Sequence, residues 1–120
     1  MKLRAADIIQ VLEQWAPQQL QEEWDNSGLC IGNPQTLIKG VLVCLDCTFE
    51  VVEEAIAGGM NMVVSHHPLI FKGLKHLREE TPVERTVALA IRHNMVIYSM
   101  HTNADKIMEG VSGAMARLLG

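Results

Sequence analysis

The sequence predicts an α/β fold, a mainly parallel sheet with helices on its faces, and three observations carry that expectation. Residues 40–45, 62–65 and 95–100 are short, continuous apolar runs rich in β-branched side chains, as expected of strands buried on both faces of a parallel sheet. The segments between them are long enough for crossover helices and carry helical patterning. Each run also stops in polar residues: Asp46 at the first, Ser65, His66 and His67 at the second, and His101, Asn103 and Asp105 after the third. Parallel strands joined by crossovers bring all these stops to one carboxyl-terminal edge, where ligand sites of open α/β sheets lie.

Taken in order, the chain opens with an amphipathic helix. Ile8, Ile9, Leu12 and Trp15 recur at three- and four-residue intervals among Asp7, Gln10, Glu13 and Gln14, and Pro17 stops the pattern. Residues 18–23 are polar and suit a further helical turn. Trp24-Asp25-Asn26-Ser27-Gly28 is dense in turn formers and predicts a loop, in which capping of local backbone is the simplest role for Asp25 and Asn26. After the first strand Thr48 is placed to cap a helix whose buried stripe is Val51, Val52, Ala55 and Ile56 and whose end is Gly58-Gly59. Thr81-Pro82 supplies an N-cap and a first-turn proline for a second helix, striped by Val83, Val87, Ala90 and Ile91 and closing around His93-Asn94. His93 suits the negative end of that helix, and His76, between Lys75 and Arg78, reads as a solvated loop residue.

Composition narrows the function classes. With 120 residues, 48% apolar residues and a formal net charge of −4, the chain has the make-up of one soluble globular domain with a real core. Ten Lys and Arg against fourteen Asp and Glu give no basic field for nucleic acid, and few aromatic residues are present for base stacking. No run approaches the roughly 18 apolar residues of a membrane helix, and residues 1–16 do not form a signal peptide, so a cytoplasmic location is expected. The three cysteines read as reduced core thiols. Cys44-x-x-Cys47 is not expected to act as a metal or redox pair, because on a strand the two side chains point to opposite faces.

The chemistry concentrates at Ser65-His66-His67-Pro68. Neighbouring strand positions point apart, so two adjacent imidazoles clamp one ion poorly but can each reach a different ion of a pair spaced roughly 3.5–4 Å. The plainer alternative is one core histidine and one exposed one. Three strands delivering carboxylates and imidazoles to one rim favour a metal or catalytic site.

Four stretches resemble a known family, the Nif three-like proteins, a dinuclear-metal family often described as type 2 GTP cyclohydrolase I. They are Trp24-Asp25-Asn26-Ser27-Gly28-Leu29, Leu45-Asp46-Cys47-Thr48, Ser65-His66-His67-Pro68-Leu69-Ile70-Phe71 and His101-Thr102-Asn103-Ala104-Asp105, in the family's order over nearly the whole chain. The resemblance implies a three-layer α/β fold and two divalent metal ions (Zn, Fe, Mn or Ni) held by His66, His67 and Asp105. It implies catalytic roles for His101 and Asp46, as proton shuttle or as orienter of a metal ligand, and substrate-binding or supporting roles for Asp25, Asn26, Ser65 and Asn103. It further implies a small-molecule substrate, GTP or another nucleotide, and a homo-oligomer. The function so implied is a metal-dependent hydrolase; the alternative is a non-catalytic metal-binding or protein-interaction factor. Family members are about twice as long, and a later His-x-x-x-Glu completes their metal pair. Residues 1–120 therefore correspond to an amino-terminal half without its carboxyl-terminal counterpart. A ligand set short of the usual three protein ligands per catalytic ion predicts weak metal binding. No Walker-type loop is present, so a nucleotide is expected to be held through the metals and loop backbone.

Overall fold

Chain order in the fold is β1 (Leu3–Arg4), α1 (Ala5–Trp15), β2 (Gly28–Ile31), β3 (Leu37–Ile38), β4 (Val41–Asp46), α2 (Phe49–Ala57), β5 (Met62–His67), α3 (Pro82–Arg92) and β6 (Val96–Ser99). The computed structural model describes residues 2–15, 28–70 and 73–100. Four strands form one sheet in the order β2-β6-β5-β4, and β1 pairs with β3 in a small antiparallel ribbon. The three strands expected from the apolar runs are mutually parallel: Leu42 sits opposite Val63 and Cys44 opposite Ser65, while Val63 sits opposite Ile97 and Ser65 opposite Ser99. β2 adds an antiparallel strand on β6, with an irregular register between Leu29 and Ile31.

Local chemistry sets the helix limits. Thr48 caps α2 by accepting from the Val51 amide, and the chain leaves α2 through Gly58 and Gly59, the latter at φ +76°. α3 starts with a full capping box: Thr81 Oγ1 accepts from Glu84 N, and the Glu84 carboxylate accepts from the amides of Glu80 and Thr81. Pro82 occupies the first turn, where its missing N–H leaves no donor unsatisfied.

The two helices lie on one face of the sheet, burying Val52, Ala55, Val87 and Ala90 against Val63 and Ile97. On the other face α1 packs Ile8, Ile9 and Leu12 over Met62, Val64, Val96 and Tyr98. Each fully buried aliphatic side chain here contributes roughly 1.5–3 kcal/mol of transfer free energy. The expectation that residues 40–45 are buried on both faces is corrected. β4 is an edge strand, and Val43 and Leu45 remain 75% and 52% exposed because α1 covers that face only over Val41 and the neighbouring strands.

Candidate active site at the carboxyl edge of the sheet

β4 and β5 both run past their apolar cores, to Asp46 and His67, and the parallel register sets those two residues opposite one another. Paired residues share a face, so Leu42, Cys44 and Asp46 lie on the side of Val63, Ser65 and His67. Asp46 Oδ1 lies 2.6 Å from His67 Nδ1. An ionised carboxylate can only accept, so Nδ1 is the donor, and in the neutral ring that leaves Nε2 as the lone-pair nitrogen. The side chains are 49% and 65% exposed, which screens their Coulomb attraction; the contact matters chiefly for fixing the tautomer and the ring plane.

His66 belongs to the opposite face by strand alternation, yet the two imidazoles meet with ring centroids 4.9 Å apart and planes at 63°. The strand ends at His67 and Pro68 follows, so the divergence of an extended strand is not continued past this point. Ser65 is 1% exposed and its hydroxyl donates to the His67 carbonyl at 2.8 Å, which ties down the end of the strand from within. Met100 N donates to Ser65 O at 2.9 Å, keeping β6 paired alongside. Asp25, Asn26, His101, Asn103 and Asp105 lie outside the described residues.

A cavity of about 400 Å³ opens on the helical side of this edge, with Asp46 and His67 on its wall together with Phe49, Leu69, Val83 and Arg85. Cys47 lines it from below, buried in the same core cluster that Cys44 packs against, because β4 ends at Asp46 and the chain turns. Burial, reinforced by neighbouring Cys44 and Cys30, pushes the Cys47 thiol up to about 12; burial and then Asp46 push Cys44 up to about 11. Both stay protonated near neutral pH and are poor thiolate ligands.

His76 is an exposed loop residue, as expected, but it also has a partner. Its Nδ1 lies 3.0 Å from the Oε1 of Glu84, a carboxylate whose side chain is only 4% exposed, so His76 ties its loop to the start of α3. Sequence reasoning also gave Arg85 no part in the site; an arginine on the exposed side of a helix carries no local signal that it faces a cavity.

Among the described residues no group of three or more His, Cys, Asp or Glu side chains is placed to hold a metal ion. The donor chemistry nevertheless suits one: two imidazoles within contact distance, one of them oriented by a carboxylate, are nitrogen ligands suited to Zn, Fe or Ni.

Fold and site together define an α/β protein that carries an imidazole–carboxylate cluster at the carboxyl rim of a mostly parallel sheet. The chain belongs to the Duf34/NIF3 (NGG1p interacting factor 3) family, whose sequence model matches residues 3–120. It is 34% identical over 120 residues to a protein of Clostridium acetobutylicum named GTP cyclohydrolase 1 type 2 homolog, covering all of this chain and 45% of that protein. It is 41% identical over 118 residues to a Staphylococcus aureus protein of the same name, covering 98% of this chain and 32% of that one. Among solved structures, a Bacillus cereus protein related to NIF3 superposes with a TM-score of 0.88 at 37% identity, over 99% of this chain and 33% of its own. Reduced HcgD from Methanocaldococcus jannaschii gives 0.86 at 29% identity, over 98% and 47%. The chain thus spans less than half the length of these relatives. Among the described residues no helix is long and apolar enough to cross a membrane.

Proposed function

We propose that this chain is the amino-terminal, metal-binding half of a cytoplasmic metal-dependent hydrolase that acts on a nucleotide or a related small molecule. The observation that carries the reading is the Asp46–His67 contact beside His66. A carboxylate on Nδ1 is the usual companion of a histidine whose Nε2 binds a metal, since it fixes the tautomer and raises the basicity of the ligating nitrogen. His66 and His67 would hold divalent ions together with Asp105, and the remainder of a longer polypeptide or a second copy of the chain would complete the set. When bound, such ions supply Lewis acidity and an acidified water.

The chain's own residues do the rest. Asp46 keeps the His67 ring in one plane and one tautomer. Ser65 holds the carbonyl of His67 and so fixes where the strand releases the ring. His101 is the candidate for carrying a proton to or from the leaving group, because imidazole titrates near neutral pH. Nucleotide as substrate class is supported by the names of the curated relatives.

The test is turnover. Protein loaded with zinc or manganese is incubated with GTP and other nucleotides, and ring opening and phosphate release are followed separately. Turnover that requires metal and disappears in His67→Ala supports the hydrolase. Metal binding without turnover of any nucleotide would instead support a non-catalytic metal-binding or interaction factor, for which the exposed Val43 and Leu45 offer a contact surface.

A further inference from the structure

We propose that the cavity beside Asp46 and His67 seats the substrate and that Arg85 binds its phosphoryl group, so that the substrate is a small phosphorylated molecule. The proposal deepens the hydrolase reading of the rim and rests on it.

The cavity, at about 400 Å³, falls within the range of roughly 300–1,000 Å³ typical of small-molecule sites. Its walls are mainly apolar, through Phe49, Leu69 and Val83, which suits the flat face of a base or the carbon frame of a sugar. Its two threonine hydroxyls are already engaged: Thr48 Oγ1 accepts from Val51 N at 3.2 Å, and Thr86 Oγ1 donates to Pro82 O at 2.8 Å. Arg85 is different. Its Nη1 donates to the Glu80 carbonyl at 3.1 Å, and among the described residues no carboxylate pairs with its charge. The neighbouring arginines are neutralised, Arg78 by Glu80 and Arg92 by a two-pronged contact with Glu79.

An exposed guanidinium anchored through one nitrogen presents its remaining N–H groups as a planar fork, the geometry that suits two phosphoryl oxygens. Glu50 and Asp46 also line the cavity, so it is not a uniformly basic field. Recognition therefore rests on the placed fork, and a free polyanion gains little from the surroundings. In this proposal a side-chain anchor on α3 joins the metals and loop backbone expected to hold a nucleotide.

The experiment uses the whole chain stripped of metal by a chelator, so that it reads the cavity without bound metal. GMP, ribose 5-phosphate, guanosine and inorganic phosphate are titrated by calorimetry into wild type, Arg85→Gln, Arg85→Lys and, as a control, Arg92→Gln. Circular dichroism verifies that each variant is folded. GMP and ribose 5-phosphate should bind wild type and Arg92→Gln alike, and both should weaken by roughly 10- to 100-fold in Arg85→Gln, the range for loss of charge-assisted hydrogen bonds. Arg85→Lys should fall between, and guanosine should bind both Arg85 variants as it binds wild type. Failure of wild type to bind either phosphate ester, or equal GMP affinity in wild type and Arg85→Gln, would overturn the proposal. Inorganic phosphate binding as tightly as the esters would overturn it as well, because the walls would then contribute nothing. Metal binding left unchanged by His67→Ala would count against the hydrolase reading while leaving these metal-free results to stand on their own.

Discussion

Replacing Asp46 with Asn separates two roles that a carboxylate on a histidine can have. The substitution keeps the shape of the side chain and removes its charge, at a contact of 2.6 Å to His67 Nδ1. If the contact were a stability device, its loss would be felt in folding. With side chains 49% and 65% exposed, however, the pair is screened, and exposed ion pairs contribute only about 0–1 kcal/mol. If the carboxylate orients a metal-binding imidazole, its loss should weaken divalent metal by roughly 10- to 100-fold, equivalent to about 1.4–2.7 kcal/mol. The expected signature is therefore a large change in metal affinity with a small change in unfolding free energy. Zinc titration by calorimetry and urea unfolding monitored by circular dichroism measure the two quantities on the same samples. Unchanged zinc affinity in Asp46→Asn, or a loss of stability greater than the loss of binding energy, would refute the reasoning.

Three further outcomes test the fold. Gly32 has φ +108°, and a Cβ there would lie 2.8 Å from Met95 O and 2.9 Å from Val96 Cα, both backbone atoms that cannot step aside. Gly32→Ala should therefore cost at least about 1–3 kcal/mol in urea unfolding. Tyr98 is fully buried, and its hydroxyl has no hydrogen-bond partner among the described residues, so Tyr98→Phe should leave stability unchanged or raise it by up to about 1 kcal/mol, measured the same way. Hydrogen bonding from the Glu80 amide first, then from Thr81, with the nearby His76, holds the Glu84 carboxyl below the usual carboxylate range. A depressed folded-state value means stability that is present above the unfolded value of about 4.3 and lost as pH falls through the folded one. The urea midpoints of wild type and Glu84→Gln should accordingly differ at pH 7 and converge below pH 4.

What was legible in the sequence follows from how local each signal is. The helix limits were readable because caps are short-range chemistry: Thr48, Thr81-Pro82 and Gly58-Gly59 act on residues within one turn. The parallel trio was readable because its runs are apolar and their spacing demands crossovers. β2 was not, since four residues beginning at a glycine and broken by a register shift carry no usable period. The exposure of Val43 and Leu45 depends on which strand stands at the edge and how far α1 reaches, neither of which is encoded near β4. At the site, the sequence showed that Asp46 and His67 end consecutive strands, but their direct pairing needs the cross-strand register. The approach of His66 to His67 needs the path of the chain at Pro68, against the simple alternation of a strand. Arg85 stands out only through the carboxylates that its neighbours take and that, among the described residues, it does not.

The central claim is that His66 and His67 are metal ligands, and calorimetric titration of zinc and manganese into wild type and the His66→Ala, His67→Ala double variant tests it most directly. Wild type should bind, weakly if no further ligands are supplied, with affinity falling below about pH 6 as imidazole protons compete with the metal. The double variant should lose at least about tenfold in affinity at pH 7.5 while keeping its circular dichroism spectrum. Superimposable isotherms for the two proteins, at both pH values, would contradict the claim.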